Sequence, residues 1–113
     1  MTGISVRKAE GTWSVRAGGA VLVESSDALE LEEPGHAPVI YFPREDIAMA
    51  FLEPTDHATH CPHKGDAGYF SIVTKSKTIP NAAWCYEDPK EAVAAIRGHL
   101  AFYNSDDVTV EQL

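Results

Sequence analysis

Between Thr12 and Ser25 the chain reads TWSVRAGGAVLVES, and no other stretch restricts its fold so strongly. Trp13 and Val15 alternate with polar neighbours, Gly18 and Gly19 can take the positive φ of a tight turn, and Val21 and Val23 resume the alternation. Successive side chains leave a strand on opposite faces, so alternation on both sides of a two-glycine turn describes an antiparallel hairpin.

The segments that follow are short and punctuated in the same way. ALELEE, residues 28–33, sets Leu29 and Leu31 on one face; PGHAP supplies a turn; and VIYF, residues 39–42, reads as a buried strand. In PREDIAMAFLEP, residues 43–54, Pro43 and the three polar residues after it suit a short helical turn, and MAFLE could be a strand. Residues 54–66, PTDHATHCPHKGD, have the composition of a loop. AGYFSIVT is expected as a strand, KSKTIPN as a turn, AAWCYE as a strand and VTVEQL as the last strand after the NSDD turn. One α-helix is expected at about residues 89–99: Asp88 can cap it, Pro89 fits its first position, Glu91 completes a capping box, and Val93, Ile96 and Leu100 share a face. The reading is a mainly β (α+β) single domain spanning residues 1–113.

At 113 residues the chain is of ordinary domain size. It can bury roughly 65% of its unfolded surface and needs no metal or disulfide to hold a core. A formal charge of −8 argues against nucleic acid and against anionic membranes. No apolar run approaches the roughly 20 residues of a membrane span, and MTGISVRKAE has no signal-peptide core, so a soluble, cytoplasmic protein is expected. Cys61 and Cys85 make no disulfide framework.

Chemistry-bearing residues concentrate in THCPHKGDAGYF, residues 59–70. Pro62 fixes one φ and Gly65 permits an unusual one, so the loop has a defined shape. A thiolate-dependent enzyme would use Cys61 as nucleophile, His60 or His63 as base and Lys64 to lower the thiol pKa. Equally, Cys61 could be a small apolar side chain closing the loop onto a sheet. His57, His60, Cys61 and His63 are zinc-ligand types, but the chain has no CxxC unit and adjacent residues diverge on an extended backbone. No cofactor is therefore expected, zinc being the metal these residue types would suit. Arg44 and Lys64, each on a proline-stiffened turn, could hold a carboxylate or phosphate, or could form ion pairs with Glu45 or Asp46 and with Asp66. Tyr41, Tyr69, Trp84 and Tyr86 are candidates for an aromatic wall, with Trp84 and Tyr86 on one face of their strand. Trp13, Cys85 and His99 are assigned to structure, and Met49 to the core.

YFPREDI, LEPTDHATHCPHKGDAGYF, AAWCYEDP and LAFY together resemble the signature blocks of the family known as domain of unknown function 427, from Trp13 to the last strand. The matching positions include Tyr41, Phe42, Pro43, Arg44, Asp46, Thr59, Cys61, Pro62, Lys64, Gly65, Ala67, Tyr69, Trp84, Tyr86, Pro89, Phe102 and Tyr103. The sequence departs from the pattern at His63, where an aromatic residue is more usual, and at Cys85. Some members carry a nucleotidyltransferase label, yet this sequence has no phosphate-cradling glycine loop or paired metal-binding aspartates. The resemblance implies a fold similar to the β-tent group, in which two antiparallel sheets meet at an angle. Relatives there hold zinc with two CxxC pairs, which this chain lacks, and the thalidomide-binding domain of cereblon holds its ligand in an aromatic cage.

The leading expectation is a protein that binds an unknown small polar or anionic molecule in an aromatic-lined pocket between sheets. Tyr41, Tyr69, Trp84 and Tyr86 would form the walls, Arg44 and Lys64 would supply charge, and Cys61 would sit at the edge. The alternatives are the thiol enzyme and a module that holds a peptide or a second copy of itself as a homodimer.

Overall fold

The computed structural model describes residues 3–113. Ten strands follow in order: β1 (Ser5–Lys8), β2 (Trp13–Ala17), β3 (Ala20–Ser25), β4 (Leu29–Glu32), β5 (Val39–Tyr41), β6 (Leu52–Cys61), β7 (Gly65–Val73), β8 (Thr78–Cys85), β9 (Leu100–Phe102) and β10 (Val108–Gln112). They form three sheets, ordered β1-β4-β5, β10-β2-β3 and β6-β7-β8-β9. Every pairing is antiparallel. The first and third sheets are joined where Phe42 and Leu100 exchange both backbone hydrogen bonds, at 2.8 and 3.0 Å.

The hairpin read from residues 12–25 is β2–β3, and Gly18 and Gly19 turn it with φ of 55° and 79°, the signs a type I′ turn requires. Pro43 leads into a 3-10 turn at Arg44–Asp46, as the residue types suggest. MAFLE is not a strand throughout, because Met49–Phe51 forms a second 3-10 turn before β6 begins.

Three expectations are corrected. KSKTIPN is not a turn throughout, because β8 begins at Thr78. Residues 54–66 are not a loop: most of them extend β6, an edge strand that tolerates Pro54 because its outer side has no partner to bond. Only Pro62, His63 and Lys64 remain to turn the β6–β7 hairpin, closed by the Lys64 amide donating to the Cys61 carbonyl at 3.2 Å. Nor is there an α-helix at residues 89–99. Glu91–Ile96 makes 3-10 turns broken at Val93, where φ is −125° and ψ is 27°. Both flanks of this segment are tied elsewhere: the Lys90 amide donates to the Lys64 carbonyl, the Gly98 amide to the Tyr86 carbonyl, and Leu100 pairs with Phe42. With both flanks fixed in this way, tertiary pairing overrides the local pattern.

The third sheet is apolar on both faces. One carries Phe70, Ile72, Ala83, Cys85, Leu100 and Phe102, which pack with Val15, Val23 and Val108 of the second sheet. The other carries Ala67, Tyr69, Tyr86 and Ala101, which pack with Leu31, Tyr41, Val93 and Ile96. Burial of Val93 and Ile96 thus survives the loss of the helix. No helix among the described residues is long and apolar enough to cross a membrane.

Candidate functional site

Strand alternation on β8 sends Trp84 to the second of these faces, Tyr86 just beyond the strand's end packs on the same side, and alternation on β7 sends Tyr69 there too. Tyr41 arrives from β5 and meets Trp84 edge-on, with ring centroids 6.3 Å apart, and the indole Nε1 donates to the Tyr41 hydroxyl at 3.2 Å. The Tyr69 hydroxyl shares hydrogen bonds with Thr59 at 3.0 Å and with the Tyr103 hydroxyl at 3.4 Å, and His57 packs on the Tyr69 ring. Tyr103 in turn lies against Trp84, with centroids 4.4 Å apart and planes inclined by 40°. The four tyrosines of the chain therefore gather on one side of the third sheet around Trp84. Burial pushes Tyr41 and Tyr103 up to about 12 and raises Tyr86 further, so all three are neutral phenols at physiological pH.

Trp84 and Tyr103 also form one wall of a cleft of about 570 Å³. It opens where the three sheets approach one another: Trp13, Val110 and Gln112 come from the second, Glu30, Val39 and Ile40 from the first, and Phe102 from the third. Pro38 and Asn104 close the rim. The composition, largely aromatic and aliphatic with a few polar groups, is that of a small-molecule site.

The expected site residues divide. Tyr41, Tyr69, Trp84 and Tyr86 come together, and Trp84 lines the cleft. Arg44 lies on the opposite face of the third sheet, its guanidinium stacked 5.6 Å from the Phe70 ring centroid. Its Nε donates to the Gly98 carbonyl at 2.8 Å and its Nη2 to Glu87 at 2.6 Å and to Cys85 Sγ at 3.4 Å. Lys64 is on the β6–β7 turn, with Nζ 3.0 Å from Glu33 Oε1. The two cations therefore do not face a shared cavity.

Cys61 packs at the margin of the second core cluster. His60, its neighbour along β6, binds Asp66 through Nδ1 at 2.6 Å, and Lys64 is engaged by Glu33. The nucleophile, base and electrostatic partner expected of a thiol enzyme thus have separate partners. Cys85 is buried beside Arg44, and burial raises its thiol pKa above the ordinary value. Among the described residues no three His, Cys, Asp or Glu side chains are grouped to hold a metal ion.

Sequence reasoning missed most of the cleft. Trp13 was assigned to structure, yet it lines the cavity, and both tryptophans of the chain do so. Glu30, Asn104 and Gln112 carry no local signal, because they meet only when three sheets assemble. A tryptophan at a strand start is the one usable hint. The family described as "Domain of unknown function (DUF427)" matches residues 5–112. No curated protein matches the chain.

Proposed function

Since the chain belongs to the DUF427 family, whose description names no activity, we propose a function from the site alone: the protein binds a small polar molecule in the cleft between its sheets. The observation that carries this reading is the cavity of about 570 Å³ with Trp13, Trp84, Phe102 and Tyr103 along its walls and Glu30, Asn104 and Gln112 among them. Rings give a flat ligand apolar contact, and sparse polar groups orient it. An anionic ligand has less support, because Arg44 and Lys64 are neutralised by Glu87 and Glu33 and neither lines the cleft. We also infer that the bridged first and third sheets act as one wall and the second sheet as the other, similar to a β-tent.

Both tryptophans line the cavity, so their emission reports its occupancy. A metabolite screen read by thermal stability and by tryptophan emission tests the reading. A ligand at about a hundredfold its Kd stabilises the native state by roughly 2.7 kcal/mol. Hits are expected to shift the emission and to lose both effects in Tyr103→Ala, whose side chain sits half-exposed at the rim. Hits that stabilise this variant as well as the parent, with no change in emission, would place binding elsewhere and end the proposal.

A further inference from the structure

We infer that the cleft selects an organic cation: a small molecule that presents an ammonium group on an apolar body. This rests on the reading of the cleft as a ligand site and gives that ligand its charge.

The argument is an inventory of what the walls leave free. Both indole N–H groups are engaged within the protein, Trp13 Nε1 with the Glu10 carbonyl at 2.9 Å and Trp84 Nε1 with Tyr41 at 3.2 Å. The Tyr103 hydroxyl is shared with Tyr69, and Gln112 Nε2 donates to the Glu10 carbonyl at 3.1 Å. The lining residues include no Lys, Arg or His. Of the side-chain N–H groups, the second N–H of the Gln112 amide and the Asn104 amide nitrogen are left, the Asn104 Oδ1 being held by the Val110 amide. An anion would find two neutral amide donors and no cationic side chain in the lining, and would meet a buried charge cost with little to offset it.

What remains free suits a cation. Aromatic faces carry negative quadrupole density, and tryptophan attracts an ammonium most strongly. Gln112 keeps its carbonyl oxygen, and Glu30 keeps a carboxylate oxygen, since only its Oε2 faces Arg7, at 3.2 Å. Arg7 is shared between Glu30 and Glu32, so the trio retains one net negative charge. The molecular charge of −8 adds a field of the same sign.

Three probes of similar shape separate charge from shape: choline, its uncharged isostere 3,3-dimethylbutan-1-ol and the anion 3,3-dimethylbutyrate. Each is titrated at low ionic strength, with the Trp13 and Trp84 indole N–H signals followed by NMR. The expected order is cation, alcohol, anion, with choline about tenfold tighter than the alcohol. Glu30→Gln should weaken choline severalfold and leave the alcohol unchanged. Equal binding of choline and the alcohol would overturn the charge preference and leave a small-molecule cleft. Preference for the anion, or no indole response to choline, would also overturn it. If the metabolite screen still yields hits that move the tryptophan emission, the cation inference alone has failed.

Discussion

Lys64 and Glu33 form the best-shielded ion pair in the structure, with side-chain exposures of 14% and 18%. It clasps the β6–β7 turn to the chain leaving β4. The hydrogen bond from Lys64 holds the Glu33 carboxyl below its ordinary value of 4.5; burial opposes this and the ammonium charge assists it. A depressed folded pKa means that the contribution is fully present above the unfolded value and is lost as pH falls through the folded one. Glu33→Gln should therefore cost about 1 kcal/mol at neutral pH. In urea titrations at a series of pH values, the gap between variant and parent should hold steady above about pH 5 and close in more acid solution. A gap independent of pH would show that the carboxylate charge is not what matters. The sequence suggested Asp66 as the partner of Lys64 and Glu45 or Asp46 as that of Arg44, because near neighbours are the only candidates a single chain displays. In the fold, Asp66 binds His60, Asp46 accepts from Ser25 at 2.7 Å, and both cations pair with residues distant in sequence. A residue's identity was legible here, and its partner was not.

At the level of elements, what could be read depended on whether a segment carries its own signal. The β2–β3 hairpin does, and even there a bulge altered the outcome: register slips after Val15, Leu22 becomes buried, and Val21 stands 55% exposed. β6 gave no signal because it is an edge strand with both faces largely in solvent, so no apolar alternation marks it. The residues after Asp88 gave a false one. Their caps and spacing favour a helix locally, and the pairing of Leu100 with Phe42 and the tethers from Lys90 to Lys64 and from Gly98 to Tyr86 oppose it. This difference can be measured. A capping aspartate replaced by alanine costs about 1 kcal/mol. In the structure Asp88 makes no cap; its side chain is 93% exposed and 3.4 Å from Arg97. Asp88→Ala should consequently change stability by less than about 0.5 kcal/mol in urea denaturation. A loss near the capping value would restore the helix.

For the molecule as a whole, the tyrosines connect the core with the site. Their chemical type and strand positions were evident from the sequence, so the aromatic gathering around Trp84 could be anticipated. The cleft could not, since its walls come from three sheets whose mutual placement no single segment encodes. The same gathering makes the fold sensitive to alkali. Burial lifts Tyr41 and Tyr103 up to about 12, from the ordinary value of 10.0, and raises Tyr86 as well. A phenol whose folded pKa is raised binds its proton more firmly when native, so its stabilising contribution is complete below pH 10 and disappears as pH climbs through the folded value. Tyr41 and Tyr86 are buried together at the junction between the first and third sheets, so ionising either of them puts charge where those sheets meet. Tyrosinate absorbance and near-ultraviolet circular dichroism, followed together above pH 10, should therefore change in one cooperative step. Replacing Tyr41 with Phe removes one such ionisation and the hydroxyl that accepts from Trp84. It should shift the step to higher pH while lowering stability at neutral pH by about 1 kcal/mol. Ionisation of every tyrosine near pH 10, with the circular dichroism unchanged, would mean that Tyr41 and Tyr86 are open to water and that the sheets do not close over them.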